Sequence, residues 1–207
     1  MKRGLFYFIT GGARSGKSHY AEDLAAALGG PVTYIATAEP LDEEMAARIE
    51  QHRRRRPAEW ATVEEPRNVA AVVEEIGQRP GVILIDCLTL LISNLLFGGG
   101  VTETDEAALA RVRAEMVRLA DAAWGSAAHV ILVSNEVGLG LVPPYPQGRL
   151  YRDAAGWANQ RMAAKADRAI FMVSGLALDL KALHTDVRRL LAGQQRPGAG
   201  GYHGYDL

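Results

Sequence analysis

Five short apolar runs rich in β-branched residues, helical segments between them, and a glycine-rich loop joining the first run to the first helix predict an α/β domain. Its expected form is three layers around a mostly parallel central sheet. The runs are "LFYFIT" (5–10), "VTYIAT" (32–37), "VILID" (82–86), "HVILVSNE" (129–136) and "AIFMVS" (169–174). They are continuously apolar, as strands covered by helices on both faces require. A chain of 207 residues is long enough for one domain with a full core. Residues 1–182 are assigned to it, and the glycine-rich stretch 183–207 to a loosely packed tail.

The first run leads into "GGARSGKS" (11–18), which opens the helical stretch "KSHYAEDLAAAL". This is G-x-x-x-x-G-K-S in the strand–loop–helix setting that gives the pattern its meaning. Backbone N–H groups of Gly11, Gly12, Ala13, Arg14, Ser15 and Gly16 can turn inward around phosphate oxygens, beside the positive end of a helix. Lys17 reaches the β- and γ-phosphates, and the Ser18 hydroxyl binds Mg²⁺. The domain is therefore of the P-loop nucleotide-binding type. "VILID" supplies the complementary carboxylate, Asp86, as a second Mg²⁺ ligand. Cys87, next to it, reads as a small buried hydrophobe.

Between Pro40 and Pro57 the spacing predicts a helix over 42–56. Asp42 caps it, Glu43 and Glu44 suit its first turn, and Arg53, Arg54, Arg55 and Arg56 suit its negative end. Met45 and Ile49 form its buried stripe, with His52 at the edge. This run has two readings. In one it is a capped helix end with a satisfied histidine. In the other, a neutral imidazole attacks phosphorus and arginines neutralise the leaving pyrophosphate. A third amphipathic helix follows at "TDEAALARVRAEMVRLADAAW", with Leu109, Val112, Met116, Leu119 and Ala123 on one face.

Several function classes are disfavoured. A formal net charge of -1 and a pI near 6.5 make the arginine run local, without the basicity or interleaved aromatics of a nucleic-acid surface. No N-K-x-D guanine motif is present, which disfavours a signalling GTPase. "LFYFIT" is too short to span a bilayer and lacks signal-peptide features. A single cysteine excludes an internal disulfide and fits a reducing compartment, so a cytoplasmic protein is expected. A regulatory nucleotide-binding module and a kinase of some other small alcohol remain as alternatives on the residues alone.

Glu136 can orient an accepting hydroxyl or pair with Arg149 or Arg152. Arg152 and Asp153 are expected as an interior ion pair. Asn159 and Gln160 suit either helix–helix hydrogen bonds or contacts with a substrate.

In order, "GGARSGKS", "YIAT", "DEEMAARIEQHRRRRP", "NEVGLGLVP" and "YRDAAGWANQRMAAKAD" closely resemble the bifunctional adenosylcobinamide kinase / adenosylcobinamide-phosphate guanylyltransferase family of cobalamin synthesis. The resemblance covers about residues 5–181, and M-A-A-R-I-x-x-H and R-D-A-A-G-x-x-N-Q are its narrowest segments. It implies that residues 11–18 bind the triphosphate, ATP or GTP, in both reactions. It further implies nucleotide contacts at Ala36, Thr37, Ala38, Arg53–Arg56 and Glu64, a histidine carrying GMP at His52, and a strand-end acid at Asp86. The implied substrates are adenosylcobinamide and its phosphate, and the implied assembly is a homotrimer.

Overall fold

A computed structural model of the chain describes residues 3–40, 42–98 and 103–187. The side chains of Glu44, Arg48, His52 and Arg55 lie outside the described residues, as does the expected tail beyond Val187. The strands are β1 (Phe6–Gly11), β2 (Val32–Ala36), β3 (Ala61–Glu64), β4 (Val82–Asp86), β5 (His129–Val133), β6 (Arg168–Val173) and β7 (Leu176–Asp179). The helices are α1 (Lys17–Leu28), α2 (Glu43–Arg55), α3 (Val69–Ile76), α4 (Leu88–Phe97), α5 (Asp105–Gly125), α6 (Pro146–Lys165) and α7 (Leu180–Leu183).

All seven strands form one sheet in the order β3-β2-β4-β5-β1-β6-β7. The first six strands run parallel, and β7 pairs antiparallel with β6. The five expected strands are all present, and two more lie at the sheet's edges. β3, "ATVE", is four residues long with mostly exposed side chains, so it has no apolar run to announce it. β7 follows a two-residue turn in which Ser174 and Gly175 have φ of 51° and 79°. Two successive left-handed residues match the twist of a tight hairpin, and register Val173↔Leu176 closes it.

The two faces are covered unequally. Phe6, Phe8, Ile83, Ile85, Val130 and Leu132 pack under α3–α6 with Leu88, Leu91, Met116, Leu119 and Met162. The other face packs Ile9, Leu84, Ile131 and Val133 against Ala21 and Ala25 of α1. Val112, Met116, Leu119 and Ala123 are buried as their spacing predicts, and Leu109 packs partly buried beside them. α2 departs from expectation. Met45 and Ile49 are only half-buried, and no described side chain of that helix is fully buried. Its N-cap is as read, with Asp42 accepting from the Met45 N–H at 2.7 Å.

The start of α3 is capped from a distance. Its N-cap residue Asn68 makes no side-chain cap bond. Instead Glu115 of α5 accepts the Ala70 N–H at 2.7 Å, and Glu65 accepts those of Arg67 and Asn68 at 2.8 Å. Burial raises the Glu115 pKa, Glu65 and Glu74 add to the rise, and the Ala70 N–H and Arg118 oppose it. A carboxyl whose pKa is higher folded than unfolded favours folding most below its unfolded value. That advantage disappears as pH rises through the folded one. Glu115→Gln keeps the acceptor and removes the buried charge. It should therefore be at least as stable as wild type at pH 7.5, with a flatter loss of stability between pH 5 and 7.5. Glu115→Ala should fall below Glu115→Gln by about 1 kcal/mol. Urea midpoints at the two pH values check this, and equal damage from both variants would show that the charge itself is required.

Candidate functional site

The carboxyl ends of the six parallel strands lie along one edge, where ligands of such sheets bind. Two measurable hollows, of about 250 and 380 Å³, lie instead at the strands' amino ends, between α3 and α5 and beside Trp60.

At the centre of the carboxyl edge is the loop between β1 and α1. Gly11 still pairs with Met172 of β6, and a Cβ there would come within 2.4 Å of the Met172 carbonyl oxygen. Gly16 has φ of 93°, a left-handed value that suits glycine. Arg14, at the exposed bend, has φ of 56°. The Gly175 N–H donates to the Ser15 carbonyl at 3.1 Å, so the β6–β7 turn braces the loop from one side. From the other side, the Glu136 N–H donates to the Gly11 carbonyl at 3.0 Å. Lys17 Nζ donates to the Gly12 carbonyl at 3.2 Å, folded back along the loop. Half-burial lowers its pKa, and the neighbouring Asp86 opposes the shift. Among the described residues, Thr10 Oγ1, Ser15 Oγ and Arg56 Nε are buried without a protein partner. Thr10 and Ser15 lie at this edge, whereas Arg56 lies over the middle of β2 and β3, against Tyr34 and Thr62.

Asp86 ends β4, in register with Ala36 of β2 and Val133 of β5. β5 therefore separates it from the phosphate loop, a lateral step of roughly 10 Å over two strand spacings. Its Oδ2 accepts from the Tyr34 hydroxyl at 3.1 Å. The Arg56 guanidinium lies over the Tyr34 ring, 3.5 Å from its centroid. Burial and the adjacent Asp86 raise the phenol's pKa well above its ordinary value, so it stays a neutral donor. A strand-end carboxylate is thus joined through one aromatic ring to the residue after α2. Tyr34 lies in the run "YIAT", and no motif in the sequence assigns it a role. Its signal was a hydroxyl-bearing aromatic at an inward strand position.

The neighbouring segment, Ala36 to Ala38, is tied into the sheet through Thr37. Thr37 is fully buried. Its hydroxyl donates to the Cys87 carbonyl and accepts the Cys87 N–H, each at 2.8 Å. The Asp86–Cys87 peptide is cis. Asn94 of α4 donates to the Thr37 carbonyl at 2.7 Å. The Thr37 side chain is therefore committed to holding β2 against β4, while Ala36 is buried and Ala38 partly exposed. Burial pushes the Cys87 thiol up to about 11, which keeps it protonated and inert near neutrality.

Along α2 the arginines have separate partners. Arg53 pairs with Glu64 of β3, Arg54 bonds Glu50 at 2.8 Å, and Arg56 donates to Thr62 Oγ1 at 3.3 Å. Glu136 accepts the Gly138 N–H at 2.7 Å, while Arg149 donates to the Pro143 and Pro144 carbonyls. The expected interior pair of Arg152 and Asp153 is a 3.9 Å contact with Asp153 76% exposed. As neighbours on one helix they point apart, so it is not interior. Asn159 does not make the expected helix–helix bonds, because it joins α6 to the segment leaving β5. It accepts from Ser134 Oγ at 2.6 Å and donates to the Asn135 carbonyl at 3.0 Å, whereas Gln160 is exposed.

Tyr34→Phe removes the bond to Asp86 and keeps the ring under Arg56, at about 1 kcal/mol. Tyr34→Leu removes both. Amide hydrogen exchange in α2 should quicken severalfold in Tyr34→Leu and stay near wild type in Tyr34→Phe. Unchanged exchange in Tyr34→Leu would mean the ring does not hold the helix.

The sequence matches known proteins over most of its length. The profile described as "Cobinamide kinase / cobinamide phosphate guanyltransferase" matches residues 7–180. The bifunctional adenosylcobalamin biosynthesis protein CobP of Pseudomonas aeruginosa is 45% identical over 173 residues, covering 84% of this chain and 95% of its own. The bifunctional adenosylcobalamin biosynthesis protein CobU of Escherichia coli is 42% identical over 182 residues, 86% of this chain and 100% of its own. Its Salmonella typhimurium namesake is 41% identical with the same coverage. This chain belongs to the cobinamide kinase / cobinamide phosphate guanyltransferase family.

Proposed function

We propose that this protein phosphorylates adenosylcobinamide with ATP or GTP. It then joins GMP from GTP to the new phosphate through a guanylylated His52, giving adenosylcobinamide-GDP. One observation carries the reading. A braced phosphate loop and the Asp86 carboxylate share the strand edge, and Tyr34 ties that carboxylate to Arg56, four residues beyond His52.

In the kinase step, the loop's backbone N–H groups cradle the triphosphate, and Lys17 swings from the Gly12 carbonyl to the transferring phosphoryl oxygens. The half-exposed Ser18 hydroxyl and the Asp86 carboxylate are hard oxygen donors of the kind Mg²⁺ takes alongside nucleotide oxygens and water. When bound there, Mg²⁺ would neutralise charge on the β- and γ-oxygens. In the transfer step, neutral His52 attacks the α-phosphorus. A P–N bond forms, the α–β P–O bond breaks and pyrophosphate leaves. Arg53 and Arg56 exchange their present partners for the developing negative charge. A phosphate oxygen of the acceptor then attacks the same phosphorus, the P–N bond breaks, and the imidazole is restored.

GTP labelled at the α-phosphorus tests the second half. Acid-labile, base-stable label should appear on wild type and be absent from His52→Ala. Label persisting in the variant would move the nucleophile elsewhere. None on a wild type that binds GTP would leave a kinase alone. For the first half, Lys17→Ala should lower phosphorylation of adenosylcobinamide on the order of a hundredfold or more. Full activity in that variant would sink the assigned role.

A further inference from the structure

The connection from β5 to α6 carries the two most exposed large apolar side chains among the described residues, Leu139 at 82% and Leu141 at 96%. Val142 and Tyr145 are also exposed. One exposed leucine is ordinary, but four large apolar groups within seven residues form a patch, and such patches mark binding surfaces.

The patch is held in place. At one end Glu136 accepts the Gly138 N–H at 2.7 Å and donates its own N–H to Gly11 of the phosphate loop. At the other, Arg149 Nη1 reaches the Pro143 carbonyl at 3.1 Å and that of Pro144 at 3.0 Å. Gly148 lies so close to Pro143 and the Tyr145 ring that a Cβ there would approach both within 2.7 Å. A segment anchored at both ends, with two prolines, keeps its leucines in water without the freedom to tuck them away. Those leucines are also near the chemistry. Leu139 is three residues beyond the contact with Gly11, so its Cα lies within roughly 11 Å of that of Glu136.

We infer that the segment Val137–Tyr145 is the docking lip for the acceptor, and that it takes the apolar faces of a corrin ring. The inference rests on the function proposed above and adds the surface that the acceptor uses. A nucleotide triphosphate is recognised by N–H donors and cations, which the phosphate loop and α2 already supply. Leucine and valine side chains offer a triphosphate nothing. A wide macrocycle with hydrocarbon faces covers them well, and its hydroxyl-bearing arm can extend towards the phosphate loop. A small alcohol would leave both leucines in water.

Equilibrium dialysis of adenosylcobinamide, followed by its visible absorbance, reads binding independently of turnover. The double variant Leu139→Ser/Leu141→Ser alters only exposed side chains. It should bind the corrinoid at least tenfold more weakly, with unchanged GTP affinity and unchanged α-label incorporation. Leu139→Met/Leu141→Met should retain wild-type corrinoid affinity. Equal corrinoid affinity in the serine variant would overturn the inference, as would a wild type that binds none. A loss accompanied by a smaller particle in light scattering would also overturn it, by making the patch a contact between copies of the chain. A wild type that binds the corrinoid through the leucines but transfers no phosphate would leave the inference standing and sink the proposed kinase reaction.

Discussion

The carboxyl end of β1 has no free space on either side, and the rest of the site is arranged around that fact. β1 is flanked by β5 and β6, and Gly11 meets the Met172 carbonyl where any side chain would collide. The turn after β6 then bonds Ser15, and the segment after β5 bonds Gly11. The phosphate loop is therefore clamped by the exits of both neighbouring strands. Its shape does not depend on a ligand to order it. Preorganised N–H groups are what make such a loop effective, because little reorganisation is left for the moment phosphate arrives.

The opposite half of the site is built differently. The sheet core is continuous from Phe6 to Leu132, and Thr37 fastens β2 to β4 with two buried hydrogen bonds. α2 shares little of this. Its described side chains are exposed or half-buried, and its named ties to the sheet are the Arg53–Glu64 ion pair, the bond from Arg56 to Thr62 and the stacking of Arg56 on Tyr34. Exposed ion pairs contribute about 0–1 kcal/mol, and a cation–π contact about 0.5–2 kcal/mol. The site thus sets a rigid loop against a lightly attached helix, and weakly held elements are where local opening concentrates.

The legible parts of this fold were those written in contiguous residues. Five strands, the phosphate loop, the Asp42 cap and the buried stripe of α5 each carry a local pattern with one physical interpretation. The edge strands were not legible, because β3 buries almost nothing and β7 is specified by its turn. Roles that depend on distant partners were equally hidden. Thr37 reads as a polar strand end until Cys87, fifty residues on, takes both its hydrogen bonds. Glu115 belongs to no local pattern in α5, and only its partner in α3 reveals it as a cap. Met45 and Ile49 had the right spacing for burial, but spacing cannot tell whether a neighbouring surface exists to bury them.

The arginine run resolves along the same line. Its position at the end of α2 suits the negative pole of the helix dipole, which favours cations there whether or not a ligand binds. That placement does not consume the guanidinium groups, because interaction with a dipole leaves their N–H donors free. Arg53 spends its donors on an exposed carboxylate, and Arg56 lays its face on a ring while its buried Nε has no protein acceptor. Phosphate accepts charge-assisted bonds that the ring cannot, and it competes with the carboxylate on equal chemical terms. A helix end that is stable without ligand is therefore compatible with the anion-binding role proposed for Arg53 and Arg56.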